Sequence, residues 1–106
     1  MASNRIAKAV RRVLGRSQDK PKEKVCTHRD QIRPVTPSSG GCEDCLKTGD
    51  RWVHLRLCLI CGHVGCCDDS KNRHATRHFH ATGHPIIKSF EPGEDWMWCY
   101  VDQVTL

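Results

Sequence analysis

Twelve side chains able to bind a metal fall along 106 residues in an order that few folds accommodate: Cys26, His28, Cys42, Cys45, Cys58, Cys61, Cys66, His74, His78, His84, Cys99 and Asp102. Zinc takes thiolate, imidazole or carboxylate donors in a tetrahedron, and a structural site is closed by four protein groups. Twelve donors therefore suffice for three sites. A chain this short buries a modest fraction of its surface, and aromatic residues make up only 6% of it. Each structural zinc contributes an apparent binding free energy of roughly 10 kcal/mol or more in finger peptides. Metal is expected to supply what the core lacks.

Eight cysteines in a small chain also fit a secreted disulfide scaffold. The first residues, MASNRIAKAVRRVLGRS, lack the uninterrupted apolar run and small-residue cleavage site of a secretion signal. No stretch approaches the ~20 apolar residues of a spanning helix. Cys pairs separated by two residues and interleaved with His fit metal better than bridges, and a reducing cytoplasm is the expected location.

The net charge of +5 is unevenly spread. Residues 1–24 hold eight Lys and Arg against Asp19 and Glu23, whereas residues 25–106 hold nine basic and ten acidic side chains. This divides the chain into a basic arm with linker, 1–24, and a metal-binding domain, 25–106. In the arm, Ser3 or Asn4 can cap a short helix whose stripe is Ile6, Val10, Val13 and Leu14, and SQDKPKEK reads as linker. Such an arm could touch anionic lipid, nucleic acid or a partner protein, but a solvated or domain-packed basic helix is the plainer reading.

Further along, RPVTPSSGG reads as a loop leading to Cys42 and Cys45. Residues 52–60 alternate, with Val53, Leu55, Leu57 and Leu59 on a core face and Trp52, His54, Arg56 and Cys58 on the other. HVGCC suggests a short strand, and Asp68-Asp69-Ser70 a helix N-terminus for a helix over 71–82, ended by Gly83 and Pro85. HPIIKSF predicts another strand, EPGED a turn, and WMWCYVDQVTL a last strand. The expected fold class is α+β: a small antiparallel sheet with one internal helix, cross-braced by up to three zinc ions, plus the N-terminal helical arm.

Tight CxxC turns aim two sulfurs at one ion, and Cys42/Cys45 and Cys58/Cys61 both have that form. Cys58, Cys61, His74 and His78 also have the spacing of a DNA-reading finger. That finger needs an aromatic and a Leu where Gly65 and Lys71 stand, and Asp68 and Asp69 would be repelled by phosphate. Nucleic-acid binding would then fall to the arm. A catalytic zinc needs an open position, and neither HExxH nor a deaminase motif occurs, so no enzyme is expected. A redox sensor built on Cys67 or a labile zinc thiolate is a further alternative.

The segments CTH, CEDC, CLICGHVGC, NRHA, RHFHATGHP and WCYVD, in that order, resemble the UBP-type zinc finger across residues 26–102. This is the ubiquitin-binding module of ubiquitin-specific proteases and a cytoplasmic histone deacetylase, and the chain is similar to its short stand-alone bacterial members. The resemblance implies two or three zinc ions. It implies a first site of Cys42, Cys45, Cys66 and His74, and a second of Cys58, Cys61, His78 and His84. In a third, Cys26 and His28 meet Cys99 and Asp102, where the family has a second CxxC. Cys67 stands where the family usually has Gly and reads as a small buried residue, while His54, His63 and His80 read as hydrogen-bonding or surface histidines.

The family captures the free Gly-Gly carboxylate at the ubiquitin C-terminus in an aromatic slot, which the resemblance places at Trp98 and Tyr100, with Trp52 as a wall. From composition alone these rings serve equally as core. The family's carboxylate-holding Arg is replaced by Asp68, whose charge opposes the ligand's and counts against ubiquitin binding in the family manner. Arg56, on the predicted strand face of Trp52, is the candidate replacement. The expected function is a non-catalytic, zinc-binding protein-interaction module that recognises a peptide or ubiquitin-like C-terminus.

Overall fold

A computed structural model describes residues 25–106. The basic arm lies outside the described residues. Two short helices and five strands follow in the order α1 (Glu43–Thr48), β1 (Leu55–Cys58), β2 (Val64–Cys66), α2 (His74–Thr82), β3 (Ile86–Ser89), β4 (Met97–Cys99) and β5 (Val104–Thr105). The strands form one antiparallel sheet ordered β2-β1-β3-β4-β5. The α+β expectation holds.

Period-two alternation sorts the side chains between the two faces of this sheet. Partners opposite each other share a face, and the register pairs Leu57 with Val64, Cys58 with Ile87, and Ile87 with Trp98. Leu55, Leu57, Val64, Cys66, Ile86 and Cys99 accordingly fall on one face, all buried in the core cluster. Arg56, Cys58, Gly65, Ile87 and Trp98 fall on the other. There α2 lies against β2, because a Cβ on Gly65 would meet the backbone of Ala75.

The β1–β2 connection is the knuckle that carries Cys58 and Cys61. Gly62 N–H donates to Cys58 O at 2.9 Å, and Cys58 N–H donates to His63 O at 2.9 Å. Gly62 has φ +88°, and a Cβ there would overlap Thr36 O, so both conformation and space require glycine.

Several boundaries differ from the sequence expectation. The strand expected over 52–60 spans only Leu55–Cys58, and Val53, expected in the core, is 53% exposed. Before β1 the chain is held by a side chain: Val53 N–H donates to Ser70 Oγ at 2.9 Å. The helix expected from residue 71 starts at His74 after Arg73 in the left-handed region, and no side chain caps it. The last expected strand is a hairpin of β4 and β5. Besides the one internal helix expected, α1 forms at the first CxxC, where Cys42 Sγ accepts from Cys45 N–H at 3.4 Å and Gly49 closes the end.

Candidate metal centres and ligand cleft

The twelve donor residues converge as three groups: Cys42, Cys45, Cys66 and His74; Cys58, Cys61, His78 and His84; and Cys26, His28, Cys99 and Asp102. Within each group the candidate ligand atoms lie within 4.8 Å of one another. Zinc bond lengths put tetrahedral edges at about 3.5 Å between S and N and about 3.8 Å between two S atoms. In the first group His74 Nδ1 is 3.3, 3.3 and 3.6 Å from the sulfurs of Cys42, Cys45 and Cys66, and the sulfurs of Cys45 and Cys66 are 4.0 Å apart. These spacings fit one zinc tetrahedron. Burial pushes the Cys42 thiol up to about 12, so at neutral pH only a bound cation would hold its thiolate there.

Around this group the sulfurs collect N–H donors, as metal thiolates do. His74 N–H reaches Cys66 Sγ at 3.2 Å, and Asn72 Nδ2 reaches Cys45 Sγ at 3.7 Å. Asn72 is itself fixed on Asp50 at 2.9 Å.

The second group is built from the knuckle and the C-terminal end of α2. Cys61 Sγ is 3.3 Å from His78 Nε2, and Cys58 Sγ is 3.6 Å from His84 Nδ1. Burial first, and then the neighbouring His63 and His84, push His78 down to about 4, which keeps its imidazole neutral as a zinc ligand must be. His63 stacks on the His78 ring with centroids 4.2 Å apart, while its Nε2 pairs with Asp44 at 2.9 Å. His63 thus plays the hydrogen-bonding part expected of it. His74 and His78 stand four positions apart on α2 and belong to different groups, so the helix braces one against the other.

The third group joins the segment before α1 to the β4–β5 hairpin. Cys99 Sγ is 3.6 Å from both His28 Nδ1 and Asp102 Oδ2. Asp102 Oδ2 lies 3.0 Å from His28 Nδ1 and accepts from Thr27 N–H at 2.7 Å. That backbone N–H, more than the His28 contact, holds the Asp102 carboxyl down to about 2, so it stays an anionic oxygen donor at neutral pH. One nitrogen, two sulfurs and a carboxylate are an acceptable zinc donor set.

Exposure separates the groups. Cys61 is exposed, while every other cysteine in the three groups is buried. Limited iodoacetamide treatment of zinc-loaded protein is expected to modify Cys61 first, with zinc leaving the second group before the first. Peptide mapping with a zinc indicator checks both the position and the order.

On the opposite face from the core, beside α2, Arg56, Ile87, Trp96, Trp98, Tyr100 and the Cys67–Asp69 turn line a cleft of 260 Å³. Cys67 follows Cys66 in an extended segment, so its side chain turns away from the first group toward this cleft. It is buried, with Sγ 3.5 Å from Ser70 Oγ, as the small-residue reading expected. Tyr100 stacks on Phe79 at 4.7 Å, which fixes its ring against α2. Thr76 Oγ1 lies 3.3 Å from Tyr100 Oη and donates to Asp68, so both cleft walls are tied to one helix.

Arg56 lies where alternation placed it. Its guanidinium carbon is 4.5 Å from the Trp96 ring centroid, and Nη1 donates to Leu55 O at 2.9 Å. Among the described residues Arg56 has no carboxylate partner. Trp52, expected as a wall of the slot, is elsewhere: its ring lies over Gly41, beside Asp50 and Arg51. The expected alternation starts three residues too early, and outside the sheet it cannot set the ring's direction. Trp96, which was not named as a site residue, takes a place in the cleft from just before β4, in phase with Trp98 and Tyr100.

A small antiparallel sheet cross-braced by Cys and His clusters suited to two or three zinc ions defines a zinc-finger module. Residues 42–106 match the family described as Zn-finger in ubiquitin-hydrolases and other protein, and the chain belongs to that family. A solution NMR structure of a Rhodopseudomonas palustris protein is 64% identical, with a TM-score of 0.72 over 80% of this chain and 83% of that one. Ubiquitin carboxyl-terminal hydrolase 44 of Ailuropoda melanoleuca is 32% identical over 82 residues, 72% of this chain and 10% of that protein. The NAD-dependent deacetylase sir2A of Dictyostelium discoideum is 37% identical over 59 residues, 56% of this chain and 10% of that protein. The chain thus corresponds to about a tenth of the length of these curated relatives. Among the described residues no helix is long and apolar enough to cross a membrane.

Proposed function

We propose that this chain is a non-catalytic protein-interaction module that reads the free carboxylate at the C-terminus of a polypeptide, with a ubiquitin-like tail as the candidate suggested by the names of its hydrolase relatives. The three donor groups serve as the zinc ligands, and each supplies four protein donors, which leaves no coordination position for a reacting water. Residues 25–106 act as the binding domain and residues 1–24 as its basic appendage. Dependence on zinc thiolates suits a reducing compartment, the cytoplasm.

The observation that carries this reading is Arg56. Its guanidinium is positioned by Trp96, lacks a carboxylate partner among the described residues, and lines an aromatic cleft with Trp98 and Tyr100. A guanidinium fork matches a carboxylate with two parallel hydrogen bonds. Arg56 then takes the role that the family's Arg would have at the position of Asp68.

Titration of the 15N-labelled, zinc-loaded protein with a peptide ending in free Gly-Gly, beside its C-terminal amide, tests the reading. Saturable shifts at Arg56, Trp96, Trp98 and Tyr100 are expected with the carboxylate and not with the amide. Arg56→Ala is expected to weaken binding about ten- to a hundredfold, the range for losing a charge-assisted hydrogen bond. Equal response to acid and amide, or unchanged affinity in Arg56→Ala, would overturn it.

A further inference from the structure

Beyond the twelve zinc donors, a further set of metal-type side chains converges among the described residues: Glu43, Asp44 and His63, all half-buried, with candidate ligand atoms within 4.8 Å of one another. They come from two segments that the zinc groups already fix. Glu43 and Asp44 stand between Cys42 and Cys45 at the start of α1, and His63 follows the knuckle, two residues after Cys61. The His63 ring lies flat on His78, with centroids 4.2 Å apart and planes 3° from parallel, and its Nε2 is 2.9 Å from Asp44 Oδ2. Glu43 is oriented through a relay, in which Val64 N–H donates to Ser38 Oγ at 3.2 Å and that hydroxyl donates to Glu43 Oε1. Metal-binding carboxylates are commonly held by such outer hydrogen bonds.

The spacing suits a cation. Donors bound at about 2.1 Å in neighbouring positions of an octahedron are about 3.0 Å apart, close to the separation of His63 Nε2 and Asp44 Oδ2. A proton fills that gap in the metal-free protein, and a bound cation replaces it. Glu43 Oε2 meets Lys47 Nζ at 3.9 Å, with Lys47 largely exposed. A pair of that kind is worth little, so the carboxylate can turn to a cation at small cost. Neither neighbouring centre opposes this: with zinc bound, three thiolates leave the first group with one net negative charge, and two thiolates leave the second neutral.

We propose that Glu43, Asp44 and His63 form a fourth metal site, which takes a divalent first-row cation on one imidazole and two carboxylates, with water in the remaining positions. Imidazole suits zinc and its neighbours in the series, and carboxylate with water suits manganese. The three zinc groups close their ions with four protein donors each, whereas this set supplies three and opens onto a groove lined also by Lys47 and Arg77. Those two cations lower its affinity, which makes it an exchangeable site and not one on which folding depends. The groove shares no lining residue with the Arg56 cleft, so the site stands whatever that cleft binds.

Mn2+ is the probe, because it binds nitrogen and sulfur donors more weakly than zinc does and leaves the three groups loaded. Titrated into 15N-labelled, zinc-loaded protein, it is expected to broaden saturably the signals around Glu43, Asp44 and His63. Native mass spectrometry should show manganese added with the zinc count unchanged. Glu43→Gln/Asp44→Asn keeps acceptors for Ser38 and the His63 ring, and His63→Phe keeps a ring to stack on His78 while removing its nitrogens. Loss of an outer hydrogen bond alone costs about 10- to 100-fold in metal affinity, so each variant, which loses donors, should bind Mn2+ at least about tenfold more weakly. An unchanged zinc count and spectrum away from the site show that each variant is folded. Broadening in wild type that fails to localise or to saturate would overturn the site, as would Mn2+ affinity unchanged in either variant. Zinc release with broadening centred on Cys58 and Cys61 would mark displacement from the second group and would overturn it too.

Discussion

Chelating zinc from the loaded 106-residue chain is expected to unfold residues 25–106, with loss of far-UV circular dichroism and dispersed NMR signals as metal leaves. The composition of the core is the reason. Ten buried residues form the central cluster, and five of them are cysteines: Cys26, Cys42, Cys45, Cys66 and Cys99. The aliphatic remainder is Leu55, Leu57, Leu59, Val64 and Ile86. At roughly 2 kcal/mol for each buried aliphatic side chain, these five together contribute about as much as one structural zinc. Metal is therefore a large share of what stabilises this core, and the aliphatic side chains do not replace it.

Cooperativity should follow from the bracing. His74 and His78 commit α2 to the first two groups at once, and Cys66 and Cys58 sit on paired strands. Cys45→Ser removes a fully buried sulfur that faces His74, Cys66 and Asn72, and is expected to abolish folding even with excess zinc. Asp102→Asn touches only the third group, which lies at the far end of the sheet, and should leave the first two intact. Zinc stoichiometry by mass spectrometry and circular dichroism across a chelator titration measure both. Native dispersion retained after complete chelation would refute the metal-as-core account.

The twelve candidate donors were legible in the sequence because zinc chemistry restricts which residue types can serve. Their sorting into three groups was implied by the resemblance to the UBP-type finger and not by spacing, which also allows His74 and His78 to share one ion. Arg56 was legible because alternation within a true strand fixes side-chain direction. The same rule failed three residues earlier. Residues 52–54 lie outside the ladder: Val53 N–H goes to Ser70 Oγ, His54 O accepts from Cys67 N–H, and Trp52 turns to Gly41. The Asp68–Ser70 cluster looked like a helix start, yet Asp68 accepts from Thr76 and Ser70 Oγ is occupied by Val53. Helix α1 left no amphipathic trace because its six residues are organised by two metal-type cysteines rather than an apolar stripe. Trp96 was not singled out, although it opens the expected last strand two residues before Trp98 and shares that residue's phase.

Gly65→Ala should be strongly damaging, although it adds one methyl group. Gly65 is central in β2, opposite Arg56, and its missing side chain is what lets α2 approach. A Cβ there would come within 2.6 Å of Ala75 N, 2.9 Å of Ala75 Cα and 3.0 Å of the His74 carbonyl carbon. All three are backbone atoms, so no rotamer change relieves the overlap, and the helix itself must move. Overpacking of this kind costs about 1–3 kcal/mol and occasionally more. Here the displaced helix also carries His74 and His78, whose ring nitrogens sit 3.3 Å from Cys42 Sγ and Cys61 Sγ. Moving α2 outward by even a few tenths of an ångström stretches two tetrahedra together. The expected result is a drop in metal affinity at both groups of at least tenfold, read by cobalt titration of the variant through its d–d and thiolate bands. Gly40→Ala, where an added Cβ meets nothing within 4 Å, is the matched control and should bind cobalt as wild type does. If Gly65→Ala also titrated like wild type, α2 would have room that this packing denies it, and the bracing of the two groups through one rigid helix would be wrong.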